Sequence, residues 1–294
     1  MQRKLNRTAL CLLILVGFIS NIHSEDTISP KYKRIVSLGG NVTETIYALG
    51  AGDSVIAADL SSVYPPEIFK LERLGYHRAV SSEGIISLEP DLVFITNEAG
   101  PPEAIDQLKS AGVKVVEVSG DRTFVGCQQR IVEIGKVLGL ENKAEELCKK
   151  IDQSMESYKK RISSIPKKKT ALFIFSQSPH TLTIAGENTA GDEMLKLAGI
   201  ENAVPNVQGY KAFNSEAAAG TNPDSIVVCA HGEAQILVDN IKEHQALKES
   251  AAVKNGRVIV FDTSLLMNFG PRVGEAAWEL GSEIYPELKN MKEE

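Results

Sequence analysis

Long apolar runs are scarce in this chain. The one at the N-terminus, Ala9–Ile19, is 11 residues long, well short of the ~20 that a membrane helix needs, and no later run approaches that length. Catalytic signatures are missing too. There is no G-x-S-x-G elbow, no P-loop and no H-E-x-x-H. The stretch GAGDSV (50–55) starts like a dinucleotide loop but lacks the third glycine and follows a helical pattern. An enzyme is therefore not expected. Histidine is sparse, five in all, and His77, His180, His231 and His244 show no H-x-x-x-H spacing, which speaks against a His-rich metal centre. Cys127, Cys148 and Cys229 form no C-x-x-C pair, so neither a zinc nor a redox motif is expected. They read as small buried apolar residues. Basic charge is in deficit, 32 Lys and Arg against 38 Asp and Glu, a poor composition for nucleic-acid binding.

What is present begins with a targeting signal. Arg3, Lys4 and Arg7 precede the apolar run, and Ser24 offers a small residue at a cleavage point before Glu25. Residues 1–24 thus read as a signal peptide for export, although Ile22 fits the small-x-small rule poorly. Cys11 follows bulky Leu10, so a lipid-anchor motif is not expected. The segment holds no acidic residue, so its removal leaves the remainder three units more acidic and long enough for two lobes.

Beyond it, strand-like runs alternate with helical patterns. Arg34–Leu38, Val55–Asp59, Asp91–Thr96 and Val113–Val118 read as strands, with helices at Thr43–Leu49 and Pro102–Gly112. The alternation returns with strands at Thr170–Ser176, Ser225–Ala230 and Arg257–Asp262 and helices at Ala190–Ala198, Glu243–Glu249 and Arg272–Ile284. Such alternation predicts α/β lobes with mostly parallel sheets. Between the halves, Ala144, Leu147, Cys148, Ile151, Met155, Tyr158 and Ile162 recur at steps of three and four, an amphipathic helix bounded by Gly139 and Pro166. The expected organisation is an N-terminal lobe (25–141), a connecting helix (142–164) that acts as a stiff spacer, and a C-terminal lobe (165–294). The two lobes are expected to be Rossmann-like, with a ligand cleft between them.

The halves also echo each other. GYHRAVSSEGIISLEPDLVFI (75–95) and GYKAFNSEAAAGTNPDSIVV (209–228) both run Gly-Tyr, Ser-Glu, then Pro-Asp into a strand. The spacing from Ser-Glu to Pro-Asp is the same in both. Glu83 and Glu216 are therefore counterparts, as are Tyr76 and Tyr210.

RIVSLGGNVTETIYALGAG (34–52) followed by DLSSVYPPE (59–67) resembles the opening of the ABC-importer binding proteins with a helical backbone between lobes, a class that includes binders of cobalamin, siderophores and haem. Within it, LGYHRAVSSEGIISLEPDLVF (74–94), AGENTAGDEMLKLAGIENAV (185–204), FNSEAAAGTNPD (213–224) and NFGPRVGEAAWEL (268–280) look most like the periplasmic haem-binding proteins. The resemblance covers nearly all of the chain beyond the signal peptide. It implies haem as cargo, Tyr76 as iron ligand and Arg78 beside it. A phenol ionises near pH ~10 while ferric iron binds the phenolate, and both the metal and a guanidinium favour that form. Tyrosinate is a recognised axial ligand of haem.

Some haem binders carry a histidine in a Ser-His-Gly-Gly loop of the second lobe. Here that position is Gln177. His180, three residues on, is a candidate second ligand, with His231 in an analogous loop behind it. His77 is a weak candidate, because neighbours on an extended segment point apart, and His244 reads as solvated on a polar helix. Tyr210 and Arg272 complete the candidate contacts. The resemblance further implies that Glu83 and Glu216 dock a membrane permease, and the protein is expected to be monomeric. A cobalamin or ferric-siderophore binder is the alternative, with Arg78 and Arg272 as possible contacts for an anionic chelate.

Overall fold

Runs of apolar, β-branched residues closed by turns build two sheets. The computed structural model of the chain describes residues 31–176, 182–213, 221–230 and 234–290. The signal segment, Gln177, His180, Glu216 and His231 lie outside these residues. The first half runs β1 (Ile35–Ser37), α1 (Gly40–Ala48), β2 (Val55–Ala58), β3 (Glu72–Arg73), α2 (Ser82–Ile86), β4 (Leu92–Thr96), α3 (Pro102–Ser110), β5 (Val115–Val118) and α4 (Phe124–Leu138). The long helix α5 (Glu141–Ser163) follows. The second half contains β6 (Thr170–Ser176), β7 (Thr183–Ala185), α6 (Ala190–Leu197), β8 (Glu201–Asn202), β9 (Tyr210–Ala212), β10 (Ser225–Ala230), α7 (Ala234–Glu243), α8 (Ala251–Lys254), β11 (Val258–Phe261), α9 (Thr263–Met267) and α10 (Val273–Ile284).

The first sheet is wholly parallel, in the order β3-β2-β1-β4-β5. The second has the order β11-β10-β6-β7-β9, with β8 also on β6. Its β7 runs antiparallel to both neighbours, so this sheet is mixed, but its other strands share one direction, in keeping with the mostly parallel sheets expected. From the centre outward, β1 matches β6, β4 matches β10 and β5 matches β11. The repeated Pro-Asp does the same work twice. Asp91 accepts the Lys33 and Arg34 N–H groups at 2.8 and 3.1 Å beside β1. Asp224 accepts the Thr170 N–H at 2.8 Å at the start of β6.

Strand alternation sorts the core into layers. Leu92 and Phe94 of β4 point into a central cluster, Val93 and Ile95 into an outer one with Ile105 and Leu108 of α3. Likewise Val227 and Cys229 of β10 enter the central cluster, while Ile226 and Val228 meet Leu237 and Ile241 of α7. The central cluster is one body shared by both sheets. Helix α5 joins it through Ala144, Ile151, Met155 and Tyr158. It lies against α4 and then α10, so it is part of the shared core as well as a link. Close approach to α10 depends on Gly274, where an added Cβ would sit 2.9 Å from Ser154 Oγ. Tyr158 Oη donates to the Ala198 carbonyl at 2.8 Å.

Three local expectations are corrected. The helix expected at Glu243–Glu249 is a series of turns, and the helix itself is Ala234–Glu243. His244 therefore follows a helix, half-buried, with its ring 5.3 Å from that of Phe213. Gly139 does not start α5 but ends α4, a helix the periodicity did not announce, in the left-handed conformation at φ 72° that glycine adopts without strain.

Candidate ligand-binding cleft

The C-terminal ends of parallel strands point into the crevice of an α/β fold, and here both sheets do so from opposite sides. A cleft of about 1320 Å³ opens between the lobes. The first lobe supplies Gly39 and Gly40 after β1, Leu60 and Ser61 after β2, and Thr96 and Glu98 from the end of β4. The second supplies Phe175, Ala230 and Phe261 from the ends of β6, β10 and β11, then Asp262 and Met267. Gly40 is needed here for close approach. A Cβ on it would fall 2.6 Å from the Ser61 carbonyl oxygen and from Asn268 Nδ2.

Tyr76 stands at the lip, 40% exposed, just past the edge strand β3. Its segment is pinned by backbone bonds. The Gly100 N–H donates to the His77 carbonyl and the Val80 N–H to the Gly100 carbonyl, both at 2.9 Å. Arg78 Nη1 donates to Tyr76 Oη at 3.3 Å, and its guanidinium carbon lies 5.7 Å from the ring centroid. Arg78 is held in turn by Glu98 at 2.8 Å, and Glu98 also binds Arg122 at 2.6 Å.

Under Tyr76 lies His77, nearly fully buried. The two rings are 4.3 Å apart and tilted by 51°. The segment is a tight helical turn rather than an extended strand, so His77 tucks inward. Its Nδ1 is 2.9 Å from Asp59 Oδ2 and its Nε2 is 3.7 Å from Glu98 Oε2. Asp59, fully buried at the end of β2, accepts the Gly39 N–H at 2.9 Å and the Ser61 and Ser62 hydroxyls at 2.6 and 2.8 Å. Burial alone would raise the pKa of Glu98, but His77, Arg122 and Arg78 outweigh it and hold the carboxyl down at about 2. Asp59 is likewise held below its ordinary range: burial opposes this, but the bonds from His77, Ser61, Gly39 and Ser62 prevail. Burial disfavours the imidazolium of His77, yet Asp59 and Glu98 carry its pKa upward. The lip of the first lobe is thus a lattice of fixed charges, with one phenol set at its edge.

Tyr210 reaches the same cleft from the second lobe. Arg272 does not line it. Its backbone N–H, Nε and Nη2 bind Glu44 at 3.1, 3.2 and 3.1 Å, and its guanidinium carbon lies 3.5 Å from the Tyr64 ring centroid. This residue ties α1 to the loop before α10. Two further ties cross the same seam. Cys127 Sγ donates to the Gly270 carbonyl at 3.2 Å, and the fully buried Arg130 donates to the Phe269 carbonyl. Glu83 is exposed in the first turn of α2, after Ser81 caps the helix by accepting the Gly84 N–H at 3.2 Å. Cys127, Cys148 and Cys229 are all free thiols. Among the described residues no group of three or more His, Cys, Asp or Glu side chains could hold a metal ion.

Glu98, Arg122 and Asp59 were not singled out from the sequence. Their one signal was position, each at or shortly after the end of an expected strand.

Comparison with known proteins accords with this architecture. The family model described as periplasmic binding protein matches residues 35–265. The uncharacterized ABC transporter substrate-binding lipoprotein YvrC of Bacillus subtilis (strain 168) is 34% identical over 265 residues, 89% of this chain and 82% of its own. A vitamin B12-binding protein of Vibrio parahaemolyticus serotype O3:K6 (strain RIMD 2210633) is 24% identical over 272 residues, 92% and 94% of the two chains. The periplasmic heme-binding protein RhuT from Roseiflexus sp. RS-1, in apo form, superposes with a TM-score of 0.82 at 32% identity, covering 87% of this chain and 99% of that one. The chain belongs to the periplasmic binding protein family, the substrate-binding proteins of ABC transporters.

Proposed function

We propose that the protein captures haem outside the cytoplasm and delivers it to an ABC importer. The observation that carries this reading is the Tyr76–Arg78 pair. A hard oxygen donor stands at the lip of a large cleft, and a guanidinium donates to that same oxygen at 3.3 Å. Ferric iron binds a phenolate oxygen, a hard donor of the kind that Tyr76 offers. The likeness to a heme-binding protein over most of the chain supports the same cargo. Apolar walls such as Leu60, Val63, Phe175 and Phe261 suit the faces of a porphyrin. His180 and His231 remain proposals for a second axial ligand.

An absorption titration of the cargo-free protein with haemin, run beside cyanocobalamin, tests the reading. Haemin should give a shifted, saturating Soret band. Saturable binding of cyanocobalamin without uptake of haemin would transfer the assignment to cobalamin, in line with the B12-binding relative.

Export by residues 1–24 and docking to the permease through Glu83 and Glu216 belong to the same proposal. Acidic groups at matching places of the two-fold repeat, of which Glu83 is exposed, suit reversible charge-steered docking. The double variant Glu83→Ala/Glu216→Ala should bind haemin as the parent does yet fail to stimulate ATP hydrolysis by the reconstituted importer. Normal stimulation would remove these residues from the interface.

A further inference from the structure

The repeated Gly-Tyr places Tyr76 and Tyr210 at corresponding outer edges of the two sheets, the first just after β3 and the second in β9. The surroundings of the two phenols differ. Tyr76 Oη meets the Arg78 guanidinium at the lip. Tyr210 instead lies beside the start of α6, lining a recess with Thr189 and Ala190. Its ring spans from the large cleft to a smaller recess shared with Asn188, Thr189 and Ala190. The side chain is 38% exposed and lines the cleft. Phe175, at the end of β6, continues this surface, its ring centroid 5.9 Å from that of Tyr210 at an interplanar angle of 56°. Burial also pushes the Tyr210 phenol up, which suits an aromatic surface better than an anionic ligand.

We infer that Tyr210 and Phe175 form a metal-independent aromatic wall for the face of a planar macrocycle, so that the first lobe recognises the iron and the second lobe the ring. The inference rests on the haem reading of the cleft and adds a substrate class to it: flat aromatic tetrapyrroles, with or without a metal. Aromatic surfaces pack on one another in offset or tilted arrangements that add attraction beyond area burial. A corrin with axial groups on both faces offers no bare face to such a wall.

The test titrates the full-length mature protein with haemin and with metal-free protoporphyrin IX. The parent should bind both. Tyr210→Ala and Tyr210→Leu should weaken both by a similar factor, about tenfold, and leave the iron charge-transfer band in place. Tyr210→Phe keeps the ring and loses only the hydroxyl, and should recover most of that loss. Tyr210→Leu guards against a cavity artefact, with the thermal melt of each variant confirming the fold. Equal affinity of parent and Tyr210→Leu for protoporphyrin IX would overturn the wall. So would a parent that binds haemin but not protoporphyrin IX, or a charge-transfer band lost in Tyr210→Leu. A parent that takes up neither macrocycle would overturn the haem reading itself, a separate and recognisable result.

Discussion

Tyr76→Ala should abolish the charge-transfer absorption of tyrosinate-bound ferric haem and weaken haemin binding on the order of 100-fold or more, about 3 kcal/mol. The expectation follows from the division of contacts at the lip. The phenol is the oxygen donor that Arg78 addresses directly, and its ring rests on a histidine already bound to Asp59. Removing the side chain leaves that scaffold intact, because Asp59, His77 and Glu98 hold one another without it. Tyr76→Phe separates the two parts of the residue. It keeps the ring against His77 and removes only the oxygen, so its spectrum should match that of Tyr76→Ala. Arg78→Ala should do less, since Arg78 meets the phenol oxygen through a single long hydrogen bond and leaves the donor itself in place. His180→Ala and His231→Ala, measured alongside, show whether either loop supplies the opposite axial ligand. If Tyr76→Ala keeps the parental spectrum and affinity, the proposed site is refuted and the cargo falls back to the wider family.

Glu44→Ala should destabilise the fold by about 3–5 kcal/mol, the usual result of removing one partner of a buried ion pair. Glu44 is 4% exposed and accepts three hydrogen bonds from one residue across the seam. Burial raises its pKa even against the pull of Arg272, so its ionised form depends on that partner. Without the carboxylate, the Arg272 N–H and guanidinium face a seam with little water to replace it. The melting temperature should fall by roughly 10 °C. Adding Arg272→Ala should cost less than the sum of the two single changes, because the orphaned cation is then gone. A Glu44→Ala protein melting within ~2 °C of the parent would show that the pair contributes little.

The scaffold was legible in the sequence because its signals are local. Buried parallel strands read as short apolar runs, and the α5 face recurs at helical spacing. Helix α4 was missed for a physical reason. Val125 and Val132 are exposed while Arg130 is buried, so the apolar stripe is blurred, and Gly126 and Gly135 weaken it further. The helix expected at Glu243–Glu249 lies one element too late, since Leu237, Val238 and Ile241 form the buried stripe of α7.

The site was legible only in part. Tyr76 and Arg78 came from a motif. Glu98 and Arg122 came from no pattern, because their partners lie 20 or more residues away in the chain and meet only when β4 and β5 pair. His77 was discounted on an alternation that holds for extended chain, but its segment is a turn.

The apolar cluster that runs unbroken through both halves has a consequence for traffic at the membrane. Lobes that share one interior cannot swing apart without exposing it, so an empty molecule and a laden one should show a permease nearly the same silhouette, and a large drop in radius of gyration on loading, read by small-angle scattering, would count against this. Selection of the laden form then has to lie in residence time and in the rim around the cleft. On that expectation, emptying the carrier would be mechanical work done against a common interior, with its energy supplied by the transporter.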